Sequence, residues 1–170
     1  MNMHDYRYDL WNYNYSVYSV CFFGHRYIAD FRKVERSLEN TIRKIIENKR
    51  SVEFLVGRNG DFDQMVSSTV RRLKREMQAD NCYLVLMLPY ATAEYIKNEK
   101  SFHDYYDEVE ICEASERSHP KGAITARNRY MVQRSELVVC CVENQYGGAY
   151  NAVKYAKQIG KSIINLTLES

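Results

Sequence analysis

With 170 residues, 45% apolar and 27% charged, the chain can bury a full core as one domain, and its 2 Pro and 7 Gly exclude a disordered or collagenous polymer. Net charge is +2 with cations interleaved among Asp and Glu, which argues against nucleic acid as a partner. The chain has no apolar run near the roughly 18 residues that span a bilayer, Asp5, Arg7 and Asp9 stand where a signal peptide needs an apolar stretch, and none of the five cysteines has C-x-x-C spacing; a cytoplasmic protein without membrane, disulfide or zinc is expected.

Residues 1–15 form a Tyr-rich arm, with Tyr6, Tyr8, Trp11, Tyr13 and Tyr15 among Asn and Asp. An edge strand or arm, on its own domain or a partner subunit, is the first reading and stacking on a ligand the second. Across 16–170, apolar runs alternate with amphipathic segments, the rhythm of an α/β three-layer sandwich with a mainly parallel sheet. Strand 16–23 precedes a helix over 31–48 with Val34, Leu38, Thr41, Ile42, Ile45 and Ile46 on one face. Strand 52–56 is followed by a helix that Asp61 can cap and that runs to about 78; its Arg71, Arg72, Lys74 and Arg75 read as a solvated face. Strand 82–88 stops at Pro89. A short helix near 91–97, an acidic stretch over 104–110 and a short strand near 109–112 follow, then a polar loop over 113–122 and a helix over about 125–135. Residues 137–142 are apolar enough for a strand buried on both faces, Gly147 and Gly148 open a helix to about 159 that Gly160 caps, and 162–166 is the last strand.

Ligands of parallel sheets bind outside the carboxyl ends of the strands, so the turns that follow strands hold the candidate site. A glycine pair at a helix start lets the backbone approach a phosphate, which the free N–H groups and the helix dipole stabilise; Gly147 and Gly148, followed by Ala149, fit that role, and turn geometry alone explains them equally well. No G-x-G-x-x-G or Walker A pattern is present, so no NAD or ATP cofactor is expected. Gly24, His25 and Arg26 follow the first strand, where Arg and His can hold an anion or, equally, form a cap or salt bridge. Gly57, Asn59, Gly60, Asp61 and Asp63 follow the second; the two carboxylates either stabilise the helix start or accept from ribose hydroxyls. Arg127, Asn128 and Arg129 are expected at a helix start, where cations are costly unless an anion lies nearby; pairing of one guanidinium with Glu143 or Asp104 is the alternative.

Taken together, Phe22-Phe23-Gly24-His25-Arg26, Phe54-Leu55-Val56-Gly57 through Phe62-Asp63, Leu88-Pro89-Tyr90, Arg127-Asn128-Arg129-Tyr130-Met131-Val132, Ser135-Glu136, Gly147-Gly148-Ala149 and Gly160 through Leu166 resemble the SLOG superfamily. That Rossmann-like group includes the Lonely Guy phosphoribohydrolases and the DNA-processing protein A family, and the likeness is strongest to small bacterial and phage members. It covers residues 19–168 and implies a nucleotide pocket at the strand ends, a phosphate cradle at Gly147-Gly148 and assembly into homo-oligomers. Where Lonely Guy enzymes have P-G-G-x-G-T-x-x-E, this chain has Tyr146, Tyr150, Asn151 and Lys154 for the Pro, the later Gly, the Thr and the Glu.

The resemblance therefore implies a module that binds a nucleotide or nucleotide-derived ligand, as a sensor or as a sponge for a signalling nucleotide such as an ADP-ribose derivative. The alternatives are a phosphoribohydrolase or N-glycosidase acting on a nucleoside monophosphate, with Asp61, Asp63 or Glu143 replacing the absent Glu, and, last because of the near-neutral charge, a single-stranded nucleic-acid binder like the DNA-processing relatives.

Overall fold

The computed structural model describes residues 16–168; the Tyr-rich arm lies outside the described residues. Six parallel strands form one sheet in the order β4-β3-β2-β1-β5-β6. Their spans are β1 Tyr18–Gly24, β2 Val52–Val56, β3 Cys82–Leu88, β4 Glu108–Ile111, β5 Leu137–Cys141 and β6 Ser162–Asn165. The helices are α1 Phe31–Asn48, α2 Asp61–Glu76, α3 Ala93–Lys97, α4 Glu99–Tyr105, α5 Glu113–Glu116, α6 Pro120–Arg134 and α7 Gly148–Gln158.

Period-two alternation along the strands assigns a face to each side chain. Val20 and Phe22 of β1 and Phe54 and Val56 of β2 join Val34, Leu38 and Ile42 of α1 and Met65, Val66 and Val70 of α2 in one core. Cys21, Phe23, Leu55, Val85, Val138 and Cys140 point the other way, onto Met131 and Val132 of α6 and Ala152, Val153 and Ala156 of α7. Burial on both faces explains why β2 and β5 are apolar runs without alternation. Glu53 is the exception within β2, and Ser19 and Arg134 satisfy its carboxylate at 2.5 and 2.7 Å. Burial pushes the thiols of Cys21 and Cys140 up to about 12, so both act as small hydrophobes.

The cationic stretch of α2 is partly paired: Arg72 pairs with Glu39 and Glu76, Lys74 with Asp107, and Arg71 lies 4.0 Å over the Tyr105 ring. Several expected bounds are corrected. Gly60, not Asp61, is the N-cap of α2, and no side chain caps it. The acidic stretch holds an additional helix, α4, whose Phe102 and adjoining Tyr106 enter the core. Residues 113–122 are not a loop, because α5 occupies Glu113–Glu116 and α6 begins at Pro120, with the His119 ring nitrogen accepting from the Lys121 N–H. Proline at the first helical position loses no hydrogen bond, so the His-Pro pair starts a helix there. No described helix is long and apolar enough to cross a membrane.

Candidate functional site

Strand order reverses beside β1, which has β2 on one side and β5 on the other, and the helices that follow β1 and β5 pack on opposite faces of the sheet. The gap holds a cavity of about 350 Å³. Gly24, His25 and Arg26 come to it from β1, Gly57, Asn59 and Asp63 from β2 and α2, Arg127 and Asn128 from α6, and Gly147, Gly148 and Ala149 from the turn after β5. Gly60, Asp61, Arg129 and Glu143 do not line it. A side chain on Gly60 would stand 2.7 Å from the Arg26 Cα, so this glycine serves close packing of two turns, and Asp61 points to a separate groove beside Phe31, Tyr105 and Tyr106.

Arg127 is the most constrained charge in the cavity wall. It lies in the interior of α6 rather than at a helix start, so burial and not the dipole sets its cost. Only 4% of the residue is exposed; Nη1 donates to the Met87 carbonyl at 2.8 Å and Nε to Asn128 Oδ1 at 2.9 Å. Neither Glu143 nor Asp104 pairs with it, and no carboxylate of the described residues comes within ion-pair distance. Burial lowers its hold on the proton, while the charge of Asp63 partly restores it.

Asp63 lies beside Arg127 across Gly57: a Cβ on that glycine would stand 3.1 Å from both Asp63 Oδ2 and Arg127 Nη1. Oδ2 accepts from the Asn59 N–H at 2.7 Å. Burial raises the carboxyl above its ordinary range, against the opposing pull of that N–H and of Arg127. Asp61 and Glu143, the other candidate acids, do not line the cavity.

On the opposite wall Gly147 has φ +95°, a conformation that L side chains resist, and Gly148 begins α7. No atom lies within 4 Å of a Cβ built on either glycine, and both line the cavity. His25 has a different part from the expected anion ligand: its Nε2 accepts from the Glu143 and Asn144 N–H groups, so that nitrogen cannot also donate to an anion. Phe22, Phe23, Met131 and Tyr146, which lie within or beside the motifs quoted above, complete the lining together with Ile124, which no motif marks.

The structure of DNA processing protein A from Streptococcus pneumoniae superposes with a TM-score of 0.63 at 16% identity over 86% of this chain and 49% of that one. A structure of the Helicobacter pylori protein, described by its single-stranded DNA binding mode, gives 0.60 at 14% identity, over 86% of this chain and 63% of that one. The fold is similar to that of DNA processing protein A. The chain spans less than two thirds of either protein. No protein-family model matches it, and no curated protein resembles it in sequence.

The single-stranded DNA binding of a neighbour with this fold overturns the expectation drawn from net charge against nucleic acid. Net charge sums the whole surface, and here Arg43 and Arg72 are neutralised by Glu39 and Glu76 away from the cavity. At the cavity Arg26 is exposed and has no ion pair among the described residues. A total near zero therefore says nothing about the charge of any one patch.

Proposed function

We propose that the cavity binds a nucleotide unit, with its phosphate at the N-terminus of α7 and its remainder reaching toward Asp63 and Arg127. The observation that carries this reading is a nearly buried guanidinium without a carboxylate partner, facing one cavity with a glycine-opened helix start. Taking a cation out of water without a counter-ion is costly, and an anionic ligand supplies the missing partner. A volume of about 350 Å³ is near the lower end of ligand pockets, which suits a mononucleotide better than an extended dinucleotide. Lys154 at the position of the Lonely Guy glutamate favours capture over cleavage, consistent with a sensor or sequestering module of SLOG type.

Calorimetric titration with AMP and ribose 5-phosphate tests the reading, followed by denaturation and recovery of the nucleotide. Intact AMP is the expected product, whereas free adenine would make the protein a glycosidase with Asp63 as its acid. Absence of binding by any mononucleotide removes the reading.

A second reading takes the nucleotide as part of a single strand. Tyr146, 72% exposed, lines the cavity, and Tyr27, 86% exposed, follows the lining residue Arg26 in sequence; such rings stack bases without reading sequence. Binding of oligothymidylate that falls steeply with salt and is lost in the Tyr27→Ala, Tyr146→Ala double variant would favour it.

A further inference from the structure

We infer that His25 is a positioning residue that latches the turn between β5 and α7 and thereby places the glycine cradle, an inference that rests on the nucleotide reading above. His25 follows the last residue of β1, and its own N–H donates to the Cys141 carbonyl at 3.3 Å, prolonging the β1–β5 ladder by one bond. Its ring then turns across the point where strand order reverses. Nε2 accepts from the N–H of Glu143 and from the N–H of Asn144, both at 3.1 Å and about 120 residues away in sequence. A nitrogen that accepts carries no proton, so the ring proton resides on Nδ1.

Nothing else in the described residues does this work. Asn165 and Thr167 hold Val142, one residue too early, and residues 143–148 are exposed. No other described side chain bonds the backbone of 143–147. Beyond the latch the chain takes its positive φ at Gly147 and enters α7, so the direction of the Gly148 N–H depends on where Glu143 and Asn144 are held. The charged groups about the ring are Arg26 beside it, Glu143 on the turn it holds, and Asp63 and Arg127 on the cavity wall.

The test uses AMP as probe and three proteins: wild type, H25A and H25Q, whose side-chain amide oxygen can reach the same two N–H groups. H25A should bind AMP at least about tenfold more weakly, the factor for one lost hydrogen bond of ordinary strength, and H25Q should recover most of the loss. Amide hydrogen exchange without ligand gives an independent reading. Glu143 and Asn144 should be protected in wild type and H25Q and unprotected in H25A. Unchanged exchange at Glu143 and Asn144 in H25A, or lost protection with unchanged AMP affinity, overturns the latch. If wild type binds no AMP, the nucleotide reading fails, and the exchange data still decide whether His25 holds the turn.

Discussion

Arg127 shows how one side chain can cost stability and supply function. Its guanidinium is buried against a carbonyl and an amide oxygen, with Asp63 near but outside ion-pair distance. Arg127→Met keeps the packing of the aliphatic stem and removes the desolvated charge, a gain that offsets the loss of a donor at both the Met87 carbonyl and Asn128 Oδ1, at about 1 kcal/mol each. The melting temperature should therefore stay within a few degrees of wild type, while AMP affinity falls by about 1.5–3 kcal/mol, the range for a hydrogen bond to a charged group. A large loss of thermal stability with unchanged affinity would make Arg127 a structural residue. Two glycines of the site divide in the same way. A Cβ on Gly24 would stand 2.3 Å from Cγ of the fully buried Phe62, so Gly24→Ala should destabilise by about 1–3 kcal/mol through overpacking. Gly148 has free space where its Cβ would be, so Gly148→Asp should fold and melt like wild type yet lose AMP, because the carboxylate takes the place of the phosphate. Circular dichroism melts and calorimetry on the two variants check both halves.

Among the elements, those with strong periodicity are legible in the chain. The spacing of Val34, Leu38, Ile42, Ile45 and Ile46 defines α1, and Asp30 caps it by accepting from the Lys33 N–H at 3.2 Å. Helix α6 is harder to read. Its buried residues include Arg127 and Asn128, so polarity does not separate its faces, and His119, Pro120 and Gly122 look like loop punctuation. Tertiary packing overrides that signal, and the consequence is large: a start at Pro120 moves Arg127 from a helix end into its interior. Gly122 is then an ordinary helical position with no atom within 4 Å of an added Cβ. Gly122→Ala should stabilise by about 0.5–1 kcal/mol, since the unfolded chain loses freedom and the helix gains a better former. Thermal melts should show a rise of a few degrees with AMP affinity unchanged, and a fall in stability would contradict the helical assignment.

At the scale of the whole molecule, stability and the candidate site use different parts of the sheet. Arg134 donates to Glu53 from Nε and Nη2 at 2.7 Å and to Glu110 from Nη1 and Nη2 at 2.6 and 3.0 Å, tying β2 and β4 to the end of α6 away from the cavity. Arg134→Met would leave the nearly inaccessible Glu53 without that cation and should cost about 3–5 kcal/mol, with AMP affinity per folded molecule unchanged. Chemical denaturation paired with titration of the remaining native protein separates the two effects. What the sequence by itself determined is the α/β class, a mainly parallel sheet of buried strands and the turns that carry glycine and charge, because periodicity, burial and backbone freedom are local properties of residue types. Only the tertiary structure decided which turns share a cavity, that Gly60 and Asp61 face elsewhere, that Arg127 lacks a carboxylate and that His25 accepts from a distant turn. Those outcomes depend on strand order and on distances between residues far apart in the chain, and single-chain periodicity holds no information about either.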